Sequence, residues 1–276
     1  MKAIPVTLLL LPFFLAGSTV SAQFQPDKDS VEKRFLVNGA YRHHYFSPEW
    51  QQYLDSALAI LPGEASFWQQ KAMPLFKQRK YEAGMIYLDK AVALDPAEYL
   101  DYRAFIKCIF QKNYQGAIAD FNTAKIARYH QGVMDHGYDF YLGLSYLQLT
   151  NYPAAKAALL QTIRRVQESS PSAPVHFLYY FYLGIAGYET ADYYTALDFF
   201  NKALIQYPQF SDAGYYKSLC LIRLHRELEA RETLAASWKN FKEGYSIPED
   251  NAIYEPYPYQ VKGWMYSYYM QQLKLR

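Results

Sequence analysis

The residues that carry most protein chemistry are scarce in this chain: 276 residues include only 2 cysteines and 6 histidines. No spaced-cysteine zinc signature, His-Glu-x-x-His, phosphate-cradling glycine loop or nucleophile elbow occurs. The histidines are scattered apart from His43-His44 and the trio Asp135, His136 and Asp139. Neighbouring residues on a helix point about 100° apart, so His43 and His44 do not converge on one metal. Asp135-His136, followed by Gly137, reads as a polar turn or helix cap and is the one place where an unexpected site would lie. Glu249-Asp250 reads as a solvated turn. An enzyme has no residue to rest on, and neither a cofactor nor a metal is expected. Charge is thin as well, with 20% charged residues and a formal net charge of +2, which excludes a nucleic-acid or anionic-membrane footprint. Beyond the N-terminus no apolar run approaches the roughly 20 residues that a membrane span needs.

The N-terminus reads as an address. Lys2 supplies the positive start, Val6 to Leu15 an apolar stretch broken by Thr7 and Pro12, and Val20-Ser21-Ala22 a small-residue cleavage site. A signal peptide over residues 1–22 is expected, with Gln23 as the mature N-terminus and residues 23–30 as a linker. The alternative is an uncleaved anchor, against which the stretch is too short, and no cysteine follows Leu15-Ala16-Gly17 to take a lipid. Loss of Lys2 leaves a nearly neutral mature chain without a transmembrane segment. Its expected location is a bacterial periplasm, the cell surface or the medium.

Tyrosine is abundant, at 29 residues. Each brings a large apolar area with a polar tip, which suits wide, partly exposed contact surfaces. The chain also repeats. Pro62 and Pro96 are 34 residues apart, as are Ala57 and Ala91, and Ala203 with Pro208 keeps the same offset. The fourth full copy carries Tyr180, Leu183-Gly184, Tyr193, Ala196, Phe200, Ala203 and Pro208. The third has Leu142-Gly143, Tyr146, Tyr152 and Ala155, the second Phe105, Tyr114, Ala117, Phe121 and Ala124, and the first Trp68, Ala72, Leu75, Tyr81, Leu88, Ala91 and Pro96. A fifth keeps Ser218, Leu221, Ala230 and Leu234, and an opening copy keeps Tyr41, Leu54, Ala57 and Pro62.

This pattern resembles the tetratricopeptide (TPR) repeat over roughly residues 31–243, about six helix pairs. The resemblance implies an all-α, right-handed α-solenoid of antiparallel helix pairs. Extra residues at Arg128 to His136 and Ser169 to Pro174 read as longer loops between pairs. Gly143, Gly184, Ala117 and Ala196 allow close helix approach, and the prolines close second helices. Cys108 and Cys220 fall in repeats that do not touch, so two buried thiols are expected rather than a disulfide.

In the resembled family the first helix of each repeat lines the concave face. The corresponding positions are Gln69 and Gln70, Tyr102 and Arg103, Phe140 and Tyr141, Phe181 and Tyr182, and Tyr215 and Tyr216, with Tyr188 and Arg223 further along. An open aromatic groove for a partner protein or peptide is the reading, with Tyr102, Arg103, Phe140, Tyr141, Phe181, Tyr182, Tyr188, Tyr215, Tyr216 and Arg223 as its contacts. A glycan or small molecule stacked on tyrosines is the alternative, and self-association a third. The clamp by which some TPR domains hold a terminal carboxylate is missing, since Gln69, Met73, Tyr102 and Ile106 stand in its place. The segment 244–260 has three prolines and four tyrosines, and Tyr254 to Tyr259 is expected to dock back on the helices. Residues 261–276 read as a capping helix with Trp264, Tyr268 and Leu275 inward.

Overall fold

The computed structural model describes residues 27–273, so the expected signal segment, Gln23 as the new N-terminus, and Leu275 lie outside the described residues. A short helix, Lys28–Val31 (α1), runs into a π-helical turn, Glu32–Val37, and a 3-10 turn, Ala40–Arg42. The helices α2 (Pro48–Ile60), α3 (Ala65–Lys77), α4 (Tyr81–Leu94), α5 (Pro96–Ile109), α6 (Tyr114–Ala127), α7 (Tyr138–Gln148) and α8 (Tyr152–Ser169) follow. Then come α9 (Phe177–Glu189), α10 (Tyr193–Gln206), α11 (Ser211–Arg223), α12 (Glu227–Lys242) and α13 (Gly263–Gln272). The result is an all-α, right-handed α-solenoid of antiparallel pairs: α3 with α4, α5 with α6, α7 with α8, α9 with α10, and α11 with α12, each stacked on the next.

Close approach within pairs depends on missing side chains. A Cβ on Gly184 would lie 2.5 Å from Cε1 of Phe200, and one on Gly143 2.6 Å from Cγ of Leu159. Five first helices end alike, with Arg79, Lys112, Thr150, Ala191 and His225 in the left-handed region at φ 62°, 57°, 56°, 59° and 56°. The following amide bonds back to a helix-end carbonyl, as in Asn151 N–H to the Tyr146 carbonyl at 2.9 Å and Asp192 N–H to Gly187 at 2.9 Å, each five residues back. Asn113, Asn151 and Asp192 then cap the second helix by accepting from the amide three residues on. Pro96, expected to close a helix, opens α5 at its first turn after the Asp95 cap.

In the longer connection after α6 the two-residue strands Gly132–Val133 (β1) and His136–Gly137 (β2) pair antiparallel. Both cysteines are buried free thiols, with burial raising Cys108 to about 11 and Cys220 to about 12. On α13 the expected faces are reversed: Tyr266 is buried, while Trp264 and Tyr268 are exposed. No helix among the described residues is long and apolar enough to cross a membrane.

Candidate functional site

Gly244, at φ +87°, turns the chain off α12. Residues 245–261 then run across the inner face made by the first helices of the repeats, out and back. On the outward limb the Tyr245 carbonyl accepts from Ser211 N–H at 3.0 Å, and the Glu249 carboxylate pairs with His136 Nε2 at 3.1 Å. After the 3-10 turn Asp250–Ile253, Tyr254 reaches the first full repeat, where Lys77 Nζ lies 4.8 Å from its ring centroid. The return limb passes Lys112 and Tyr182, stacks Tyr259 edge-on against Tyr216 at 6.1 Å, and ends at Val261.

Both limbs close on one carboxylate. Asp212, fully buried near the start of α11, accepts from Val261 N–H at 2.6 Å and from the Ser246 hydroxyl at 2.9 Å. Burial raises its pKa to about 6, and the two bonds pull the other way. Gln260 Nε2 adds a bond to the Ser246 oxygen at 3.3 Å, so residues 246–261 form a loop with joined ends.

The return limb is gripped by its main chain. Arg79 donates to the Tyr254 carbonyl at 3.2 Å, Lys112 Nζ to that of Pro256 at 2.7 Å, and the Tyr182 hydroxyl to that of Pro258 at 3.0 Å. Donors from three repeats thus take alternate carbonyls of a segment that leaves the 3-10 turn at Tyr254 and turns again over Tyr257 to Gln260. Pro256 and Pro258 have no N–H to satisfy, and the one between them, Tyr257 N–H, bonds to Gln260 Oε1 at 3.1 Å.

This segment overturns the picture of an open aromatic wall. Phe140, Tyr141, Phe181 and Tyr182 have no measurable exposure, and Tyr215 and Tyr216 are buried at 2% and 6%. They sit between neighbouring helices or under the return limb: Phe140 packs against Tyr179 and Tyr182, Phe181 against Phe200 and Phe210. Burial holds the hydroxyls of Tyr141, Tyr182 and Tyr216 well above the usual tyrosine range. Arg103 is half-buried and forked onto Asp120 at 2.8 and 2.9 Å with a third bond to Asp89, so it ties α4, α5 and α6 together. Tyr102 turns its hydroxyl to the Met73 sulfur, Tyr188 is half-buried against Tyr216, and Arg223 is exposed.

Two functional side chains gave no clear signal in the sequence. His136, placed above in a solvated turn or cap, is 4% exposed, held by Tyr179 Oη at 3.1 Å on one ring nitrogen and Glu249 on the other. Glu249 is correspondingly half-buried rather than solvated. His176 lies 5.2 Å from the His136 ring, and burial, helped by that neighbour, lowers its pKa. Asp212 is a lone acid in an apolar helix start. Elsewhere, a cavity of about 840 Å³ opens between the end of α6, the β1–β2 loop and α8, where Lys125 and Arg165 both pair with Asp139.

No family model and no curated protein matches the chain. Solved structures do. A tetratricopeptide repeat protein from Parabacteroides merdae superposes with a TM-score of 0.61 at 16% identity over 81% of this chain and 82% of its own. PilW, a type IV pilus biogenesis factor, gives 0.60 at 15% identity over 78% and 94%. Pseudomonas aeruginosa pilF gives 0.56 at 17% identity over 79% and 93%. At these identities the likeness is one of fold, and the fold is that of the TPR solenoid.

Proposed function

We propose that this chain is an exported, non-enzymatic TPR-type scaffold whose inner face receives an extended segment of a partner protein. Residues 1–22 act as the signal peptide and 23–30 as a linker, residues 31–243 as the array, 244–260 as a strap over its inner face and 261–276 as the end cap. The observation that carries the reading is the set of donors on alternate carbonyls, Arg79, Lys112 and Tyr182. Donors aimed at backbone suit a peptide, since main-chain bonds supply affinity while side-chain pockets supply choice. The pilus-related structural relatives fit a scaffold in the bacterial envelope.

The test is photo-crosslinking in the native cell, with benzoylphenylalanine at Lys112 on the inner face or at Arg231 on α12. Protein adducts at Lys112 and none at Arg231 support the groove. Adducts at Arg231 alone would remove the groove from the reading, and a carbohydrate adduct at Lys112 would replace the protein partner with a glycan.

A further inference from the structure

We propose that residues 245–261 are a built-in competitor, and that the partner segment is a proline-interrupted stretch with aromatic side chains beside its prolines that must displace them. The inference rests on the scaffold reading and names the partner's chemistry and its gate.

Three observations carry it. First, the groove holds one sequence, Tyr254-Glu255-Pro256-Tyr257-Pro258-Tyr259, with Tyr257 and Pro258 buried in it. Prolines fix φ at two positions of such a segment before binding, so less ordering remains to be done, and they leave carbonyls as its main polar groups. The three donors match those carbonyls at alternate positions.

Second, the resident segment fits imperfectly. Tyr259 stands at φ +61° as the third residue of the turn that Gln260 N–H closes on the Tyr257 carbonyl at 3.1 Å, a position that glycine usually fills. That turn sends the chain back to Asp212 two residues later, a return that a free peptide would not have to make. The Tyr141 hydroxyl is buried without a hydrogen-bond partner. A native structure seldom leaves such a group orphaned, so an acceptor that reached it would add to binding.

Third, the strap is tethered at both ends, by the turn at Gly244 to α12 and through Val261 to α13, whose Tyr266 packs on Trp238 and Phe241. Between those ends Asp212 and the His136–Glu249 pair hold it, with no disulfide. Tethering gives it an effective concentration on the order of millimolar, which a partner in solution has to outcompete. Loosening the strap therefore tightens binding in trans.

The experiment uses a fluorescein-labelled peptide of residues 252–261 and the full chain, wild type or carrying Tyr257→Ser with Pro258→Ser. Anisotropy is expected to show binding to the variant about tenfold or more tighter than to wild type. A control peptide with both prolines and all three tyrosines changed to serine should not bind. Equal binding to the two chains, or none to a variant that keeps its helical circular dichroism, would overturn the proposal. Should the variant fail to fold, the readout is wild-type amide exchange at Tyr257, Tyr259 and Gln260 during peptide titration. Exchange that rises supports displacement, and exchange unchanged at saturating peptide refutes it. Crosslinks at Lys112 to a partner, with no peptide competition, would leave the scaffold reading standing and remove the gate alone.

Discussion

Replacing Asp212 by asparagine separates a charge from a shape. The carboxylate is fully buried and its pKa is raised from 3.8 to about 6, chiefly because burial disfavours the charged form. The native state therefore holds the proton more tightly than the unfolded chain. Stability contributed by the protonated group is fully present below about 3.8 and is lost as pH rises through about 6. A shift of about two pKa units at about 1.4 kcal/mol each makes the loss on the order of 3 kcal/mol. Asparagine keeps an oxygen for the Val261 amide and never ionises. Urea unfolding of wild type and Asp212→Asn between pH 4 and 7.5 should show the variant gaining on wild type by about 3 kcal/mol across that range. A flat difference, or one of opposite slope, would mean that Asp212 is hydrated or otherwise paired and does not clasp the strap.

Other perturbations test the scaffold. Gly184→Ala puts a Cβ against Phe200 and should cost about 1–3 kcal/mol in overpacking, read as a lower melting temperature. Asp120→Ala strands Lys107 and two of the three Arg103 bonds and should lower unfolding stability by about 2–3 kcal/mol in urea titration. Cys108 and Cys220, free and buried with raised pKa values, should react with a thiol reagent at pH 7 only in denaturant; rapid native labelling would contradict their packing.

The repeats were readable because alanine and proline recur at 34 residues in the first copies and the same signature residues return after each longer loop. The groove was less readable, for a physical reason. The resemblance to the TPR repeat assigns Phe140, Tyr141, Phe181 and Tyr182 to the inner face, but it carries no information about what covers that face. The cover comes from residues far away in sequence: Tyr182 meets Pro258 across 76 residues, and His136 meets Glu249 across 113. A single histidine beside a glycine and a single aspartate at a helix start have no spacing partner that would betray either bond. The end helix misled for another reason. Aromatic residues at 264, 266, 268 and 269 surround α13, so no stripe marks the inward side, and packing on Trp238 and Phe241 selects Tyr266. The left-handed turns at Arg79 and Lys112, which place the strap's donors, were hidden because neither is glycine.

The most direct measurement places benzoylphenylalanine at Arg79 in the purified full chain and maps the photoproduct by mass spectrometry. An intrachain adduct within residues 252–257 is expected, because the native Arg79 side chain lies on the Tyr254 carbonyl at 3.2 Å. A photoproduct confined to solvent, or to residues outside 245–261, would mean that the inner face stands open and that the strap does not occupy it.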